Sequence, residues 1–341
     1  MHDLSRGAIL VTGGAGLIGS ALICRLNELG YENIIVVDRL DETAKWKHLV
    51  PLHFADYTDA DDLAEMISDP AGLGSIGTVF HLGACSATTE IDADYLMRNN
   101  YDYTKRLAKW ALDIGARFIY ASSAATYGAI EDELCETADL GTLRPLNMYA
   151  YSKHLFDLYA ARSGIAAHVA GIKYFNVFGP NEDHKAEMRS IVFKAFDQIT
   201  GTGSVRLFKS YRPRYADGEQ QRDFLYVKDA VDMTIHVARS GIVGIVNVGS
   251  GERHTWLDMV RPIFSALQLP ERVEFIDMPA QLRDKYQYST CAKMERLHDS
   301  GYTRRPRPLE EAVRDYVTRY LVPGRVLDPA DTRGLSALSV S

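Results

Sequence analysis

Apolar and polar positions follow two rhythms through the first half of the chain. Short runs rich in Val, Ile and Phe at residues 8–12, 33–38, 52–54, 78–82, 117–121 and 168–174 predict buried strands. Between them, residues 17–29, 59–67, 95–114 and 149–162 repeat their apolar positions with helical spacing. Strands alternating with helices at these intervals predict right-handed βαβ units, hence an α/β fold built on a doubly wound parallel sheet. After Gly179-Pro180 the rhythm loosens. A helix is expected over 187–199, a polar, arginine-bearing stretch over 209–222, strands at 223–227 and 244–248, and a helix at 228–239 between them. Thr255 reads as the N-cap of a further helix, and a last one covers 309–320.

These patterns divide the chain into two lobes. Residues 1–175, with roughly 223–250, are assigned to the first domain, and residues 176–222 and 251–321 to a smaller lobe partly interleaved with it. Residues 322–341 lack periodicity and are expected to be a disordered tail.

The first strand runs straight into Gly13, Gly16 and Gly19, and then into the apolar face that begins Leu17-Ile18. Glycines in a strand-to-helix turn let the backbone approach a pyrophosphate, whose charge sits at the helix N-terminus. A bare glycine triplet is a weak signal, equally met by a tight turn with a packing glycine. Here the strand stands before it, the helix after it, and an acid, Asp38, ends the next strand 19 residues beyond Gly19. The turn is therefore read as the dinucleotide site of a Rossmann fold. Asp38 suits the ribose hydroxyls of NAD, whereas Arg39 and Lys45 are candidates for the 2′-phosphate of NADP. NADP is the expected cofactor, with NAD left open.

The fifth predicted strand ends in Ser122-Ser123-Ala124-Ala125, and Tyr149 and Lys153 follow four residues apart on one helix face. An ammonium near a phenol favours the phenolate, and a serine hydroxyl can share the same substrate oxygen. Together Ser123, Tyr149 and Lys153 suit removal of a proton from a secondary alcohol while a nicotinamide takes the hydride. Alone, such a Tyr–Lys pair is usually only one face of an amphipathic helix. Downstream of the glycine turn and the serine strand end, coincidence becomes a poor explanation.

Gly13-x-x-Gly16-x-x-Gly19, His81-Leu82-Gly83-Ala84, the Ser123 segment and Tyr149-x-x-x-Lys153 occur in the order of the extended short-chain dehydrogenase/reductase family, which residues 7–320 resemble. Residues 83–90, Asn99-Asn100-Tyr101, 121–128, 174–180, His184-Lys185 and Lys285-Tyr286-Gln287 resemble its nucleotide-sugar epimerases that act at C6 of an ADP-linked heptose, a lipopolysaccharide inner-core precursor. The resemblance implies oxidation at C6, presentation of the ketone's other face, and return of the hydride. It assigns Tyr149 and Lys185 as the acid/base pair, supported by Lys153 and Ser123. It implies a cofactor site of Gly13, Gly16, Leu17, Ile18, Gly19, Asp38, Arg39, Lys45, Asp56, Leu82, Gly83, Ala84, Cys85, Ser86, Asn99, Lys153 and Val177. It places Ser123, Asn176, Glu187, Lys194, Phe208, Arg222 and Tyr286 at the sugar nucleotide. A homo-oligomer is also implied. The chain departs from the branch at Arg39, often Asn there, and at Ala60, where a lysine can hold cofactor. It departs again at Glu187 and Lys194, where a small polar residue and a histidine occur.

Composition narrows the field. With 38 Lys and Arg against 45 Asp and Glu, the formal net charge of −7 speaks against a nucleic-acid binder. The four cysteines lie far apart and read as free thiols, and the ten histidines show no metal-binding spacing. No run of 18 apolar residues suggests a membrane span, so a soluble cytoplasmic enzyme is expected. The alternatives are another nucleotide-sugar epimerase or dehydratase, such as a UDP-sugar 4-epimerase, and a non-catalytic NAD(P)-sensing protein. A dehydratase would want an Asp-Glu pair beside Ser123, where Ala124-Ala125 stands instead.

Overall fold

The strand Ala8–Thr12 is buried along its whole length, as a strand covered by helices on both faces must be. In this computed structural model, which describes residues 1–67, 74–131, 134–283 and 286–331, it lies inside an all-parallel sheet. Among the described residues that sheet has seven strands, in the order Gly244–Val248, Val169–Tyr174, Arg117–Ser123, Ile76–His81, Ala8–Thr12, Ile34–Asp38, Asp56–Asp59. The chain leaves Ala8–Thr12 first to one side and later to the other. A crevice therefore opens at the carboxyl ends of Ala8–Thr12 and Ile76–His81, where ligands of such sheets bind. This is the predicted doubly wound architecture.

One strand is displaced from its expected place. The run 52–54 is no strand, because the Asn27 side chain takes both backbone groups of His53, accepting from its N–H at 2.8 Å and donating to its carbonyl at 2.8 Å. The edge strand forms instead over the polar Asp56–Asp59. The single helix expected over 95–114 is Ala93–Leu96, a π-helical turn Met97–Asp102, and Tyr103–Asp113. The helix expected over 187–199 runs instead over Ile191–Thr202, capped by Ser190, and follows a 3-10 turn Asp183–Met188 kinked at Ala186 (φ 45°, ψ −120°).

Phe224–Tyr226 stays out of the central sheet and pairs in parallel with Asn176–Phe178. The helix Val227–Ser240 then packs on Leu17–Glu28, where Asp232 accepts from Arg25 at 2.7 Å. Two pairings lay outside the sequence reading: Val205–Phe208 with Val273–Ile276, and Gln221–Arg222 with His254–Thr255. The expected disordered tail needs correction over 322–331. Leu327 is buried, and its N–H donates to Asn181 Oδ1 at 3.1 Å. The rest of that tail, from residue 332 on, lies outside the described residues.

Candidate active site

The glycine turn is shaped by contacts no side chain could share. Gly13 has φ +68°, and a Cβ there would come within 2.7 Å of Gly83; at Gly19 it would meet the Gly13 carbonyl oxygen at 2.0 Å. The helix Leu17–Glu28 starts at Gly16 without a side-chain cap, so its first N–H groups face the turn. That cradle fits a pyrophosphate. Leu17 is buried and Ile18 partly so, which anchors this helix end to the core.

Asp38 holds the turn from beneath. Its Oδ2 accepts the Ala15 N–H at 2.8 Å, and its Oδ1 accepts from Arg39 N at 2.8 Å and Lys45 Nζ at 2.9 Å. Arg39 in turn pairs with Asp61 and donates to Asn99 Oδ1 at 2.9 Å. Both cations expected at a 2′-phosphate are thus engaged by carboxylates. Register sets Asp59, rather than Asp56, beside Asp38; Asp56 pairs with Ile35, further from the carboxyl edge.

The loop after Ile76–His81 completes the crevice. Gly83 N donates to Thr12 Oγ1 at 3.0 Å and Leu82 N to the Thr12 carbonyl at 3.1 Å. Cys85 N donates to Asn100 Oδ1 at 2.9 Å, and Asn100 Nδ2 returns a bond to the Cys85 carbonyl at 2.9 Å. Ala84 and Ser86 flank this clamp, and Asn99 joins it by donating to Asn100 Oδ1 at 3.1 Å. His81 lies between the hydroxyls of Thr12 (2.7 Å) and Thr104 (2.8 Å), and burial pushes it down to about 3. It is a neutral structural histidine.

The Ser123 side chain lies close enough to Tyr149 to bear on its phenol. Burial nevertheless raises the phenol above its ordinary value, and Ser123 offsets this only in part. Lys153, itself buried, donates to the Ala121 carbonyl at 2.9 Å and is pushed by burial down to about 8. Asp157, one turn further along the helix, opposes that fall. Its carboxylate is buried and accepts from Tyr120 at 2.9 Å and Ser122 at 2.7 Å, with Lys173 Nζ at 3.7 Å.

Lys185 comes from a separate segment, the turn Asp183–Met188. Burial lowers it, with Glu182 opposing, which makes an amine better suited to proton transfer near neutrality. Folding also gathers His48, Asp183 and His184, with one ligand-type atom from each within 4.8 Å of the others. The histidine spacing gave no hint of this. His48 Nε2 and Asp183 Oδ1 are in direct contact at 2.7 Å, whereas the buried His184 Nδ1 has no hydrogen-bond partner.

Four of the residues expected at substrate, Asn176, Lys194, Arg222 and Tyr286, meet around one aromatic. Asn176 and Lys194 line a cavity of about 320 Å³ with Trp256 and with Val177, which was expected at the cofactor; its size is within the usual range of small-ligand sites. Trp256 Nε1 donates to the Tyr286 hydroxyl at 2.8 Å, and the buried Arg222 guanidinium lies over both the Trp256 and Tyr286 rings. Arg222 is followed by Asp223, whose carboxylate accepts from Ser250 N at 2.6 Å, Gly251 N at 3.0 Å and Ala292 N at 2.9 Å. Glu187 is exposed, its carbonyl accepting from Lys194 Nζ, and Phe208 ends its strand one layer away beside Gln220. Lys285 lies outside the described residues.

A family profile described as the NAD dependent epimerase/dehydratase family matches residues 9–249, through the glycine turn, Ser123, Tyr149-x-x-x-Lys153 and Arg222. The chain belongs to this family. A relative from Nitratidesulfovibrio vulgaris (strain DP4), named ADP-L-glycero-D-manno-heptose-6-epimerase, is 49% identical over 92% of this chain and 97% of its own. The crystal structure of the Helicobacter pylori protein of that name is similar with a TM-score of 0.77 and 26% identity, over 94% of this chain and 98% of that one. Thermus thermophilus UDP-glucose 4-epimerase in complex with NAD matches with a TM-score of 0.74 and 25% identity, over 94% and 100%.

Within this epimerase/dehydratase frame, sequence reasoning missed three positioning groups. Asp157 had a signal, its i+4 spacing from Lys153. Trp256 follows directly on the Thr255 cap, where the capping box is formed with Asp258. His48 had none, because its partner lies 135 residues away. Among the described residues no helix is long and apolar enough to cross a membrane.

Proposed function

We propose that this enzyme inverts C6 of ADP-D-glycero-D-manno-heptose to give ADP-L-glycero-D-manno-heptose, supplying the lipopolysaccharide inner core. The observation that carries the reading is 49% identity to a relative of that name along nearly the whole of both chains, substrate lobe included. The bound dinucleotide supplies a hydride acceptor and donor. Ser123 orients the C6 oxygen, and one of Tyr149 and Lys185 removes its proton as the 6-keto sugar forms. Lys153 steadies the Tyr149 phenolate electrostatically. The ketone then offers its other face, and the other of the two, carried on a different segment, protonates the alkoxide of the second epimer. Arg222, packed over Trp256 and Tyr286, holds the diphosphate.

NAD is favoured over NADP as the resident cofactor. A carboxylate stands at the ribose end of the second strand, and Arg39 and Lys45 are already paired. Residues 1–175 and part of 223–250 carry the dinucleotide and the remainder the sugar nucleotide, in a homo-oligomeric cytoplasmic enzyme.

The test is incubation of the purified protein with ADP-D-glycero-D-manno-heptose and no added cofactor, followed by proton NMR. An approach to a mixture of C6 epimers is expected. No conversion by folded, cofactor-loaded protein, together with turnover of UDP-glucose, would transfer the assignment to a 4-epimerase.

A further inference from the structure

His48 is fully buried on the short helix Trp46–Leu49, between the cofactor turn and the segment that carries Lys185. Its Nδ1 lies 2.8 Å from the Ala15 carbonyl oxygen, and its Nε2 lies 2.7 Å from Asp183 Oδ1. A carbonyl and a carboxylate are both acceptors, so satisfying both contacts requires a proton on each ring nitrogen. Ala15 is the middle of the glycine turn, and its N–H is already held by Asp38 Oδ2 at 2.8 Å. Asp38 and His48 therefore grip the same residue from its two backbone ends.

On the far side, Asp183 precedes His184-Lys185 directly. A second bridge runs parallel to the first: Asn181 Nδ2 donates to Ser20 Oγ on the first helix at 2.9 Å. A second histidine stands beside the imidazole, with two lysines near it in turn. The His184 ring stands edge-on to His48 at 5.3 Å, and burial pushes it down to about 4, so it adds no competing charge. Lys45 and Lys185 lie close enough to bear on His184. Asp183 is the only carboxylate among the described residues that bonds to His48, and it balances the charge there.

We propose that His48 is a positioning residue which, as an imidazolium shared by Ala15 and Asp183, fixes the place of Lys185 relative to the dinucleotide turn. The proposal rests on the reading of Lys185 as an acid/base of the epimerisation. Seating of the dinucleotide against Ala15 and placement of Lys185 are then one mechanical event rather than two. Asp183 is 44% exposed in its side chain, so its variants keep the fold.

The test has a spectroscopic arm and a kinetic arm, both on the holoenzyme. With nitrogen-15-labelled histidine, His48 should show two protonated ring nitrogens, and Asp183→Asn should return it to the neutral form with the proton on Nδ1. A neutral His48 in the unsubstituted enzyme overturns the proposal. Kinetically, Asp183→Ala and His48→Ala should each lower kcat at least tenfold while KM for the sugar nucleotide stays within twofold. Asp183→Asn, which keeps the shape, should recover part of the loss, and the double alanine variant should be no worse than the poorer single one. Parental kcat in Asp183→Ala would also overturn it. Failure of the functional reading looks different: the unsubstituted enzyme would not interconvert the heptose epimers, while the NMR arm would still report on the His48 bridge.

Discussion

Lys153 donates its ammonium to the backbone carbonyl of Ala121 at 2.9 Å, the last turn of the strand before Ser123. Buried there, it is pushed down to about 8. Two pH effects of opposite sense follow. As pH rises through about 8, Lys153 loses its charge; on its proposed role of steadying the Tyr149 phenolate, kcat should show an alkaline limb near that value. Stability moves the other way: between about 8 and the ordinary lysine range the unfolded chain binds the extra proton, so unfolding free energy rises with pH by about 1.4 kcal/mol per unit. Lys153→Met should remove both slopes. Rate profiles and urea titrations from pH 7 to 10 measure them; an unchanged alkaline limb in the variant would reassign it to another group.

Tyr149→Phe removes the hydroxyl proposed to transfer the proton while leaving the helix Met148–Ser163 and its Asn147 cap intact. Epimerisation should fall about 10²- to 10⁴-fold, with dinucleotide retention unchanged. Single-turnover assays with the cofactor absorbance followed in parallel check both halves of this.

Cofactor identity can be read directly by denaturing the purified enzyme and weighing what is released. NAD is expected. Asp61→Asn should release Arg39 from its partly exposed ion pair and make it available to a 2′-phosphate. A charge-assisted hydrogen bond of about 1.5–3 kcal/mol gained by NADP alone would shift the NADP-to-NAD affinity ratio roughly ten- to hundredfold. A ratio unmoved by the substitution would mean that Arg39 does not face the ribose.

Asp157 is buried among Tyr120, Ser122 and Lys173, and Lys173 is buried too. Asp157→Ala would strand that ammonium and two hydroxyls, with an expected loss of about 3–5 kcal/mol in unfolding free energy. Lys153 should titrate lower still, because Asp157 is the group that holds it up. Denaturant melts and the alkaline limb of the rate profile test the two effects separately.

The central sheet was legible because its strands are local apolar runs. Ile34–Asp38 ends in a carboxylate, and Gly13, Gly16 and Gly19 mark the turn before it, all within one βαβ unit. Tyr149 and Lys153 were legible for the same reason, since helical spacing alone puts them on one face. What escaped depended on distant partners. Leu52 and Phe54 look like a strand until Asn27 claims the backbone of His53, and Asp-Tyr-Thr-Asp looks like a turn until Ile34–Asp38 offers it hydrogen bonds. Val205–Phe208 becomes a strand only against Val273–Ile276, and the His48–Asp183 bridge joins segments with no common motif.

One edge of the central sheet is the strand of residues 244–248, which the chain reaches only after it has laid Asn176–Phe178. Asp223 then waits for the N–H of Ala292 before its carboxylate is fully satisfied. A chain leaving the ribosome folds from its beginning where it can, but here Val169–Tyr174 gains its outer neighbour in the sheet only after residues 176–243 have emerged. Early and late segments thus complete one another's hydrogen bonds across long stretches of chain.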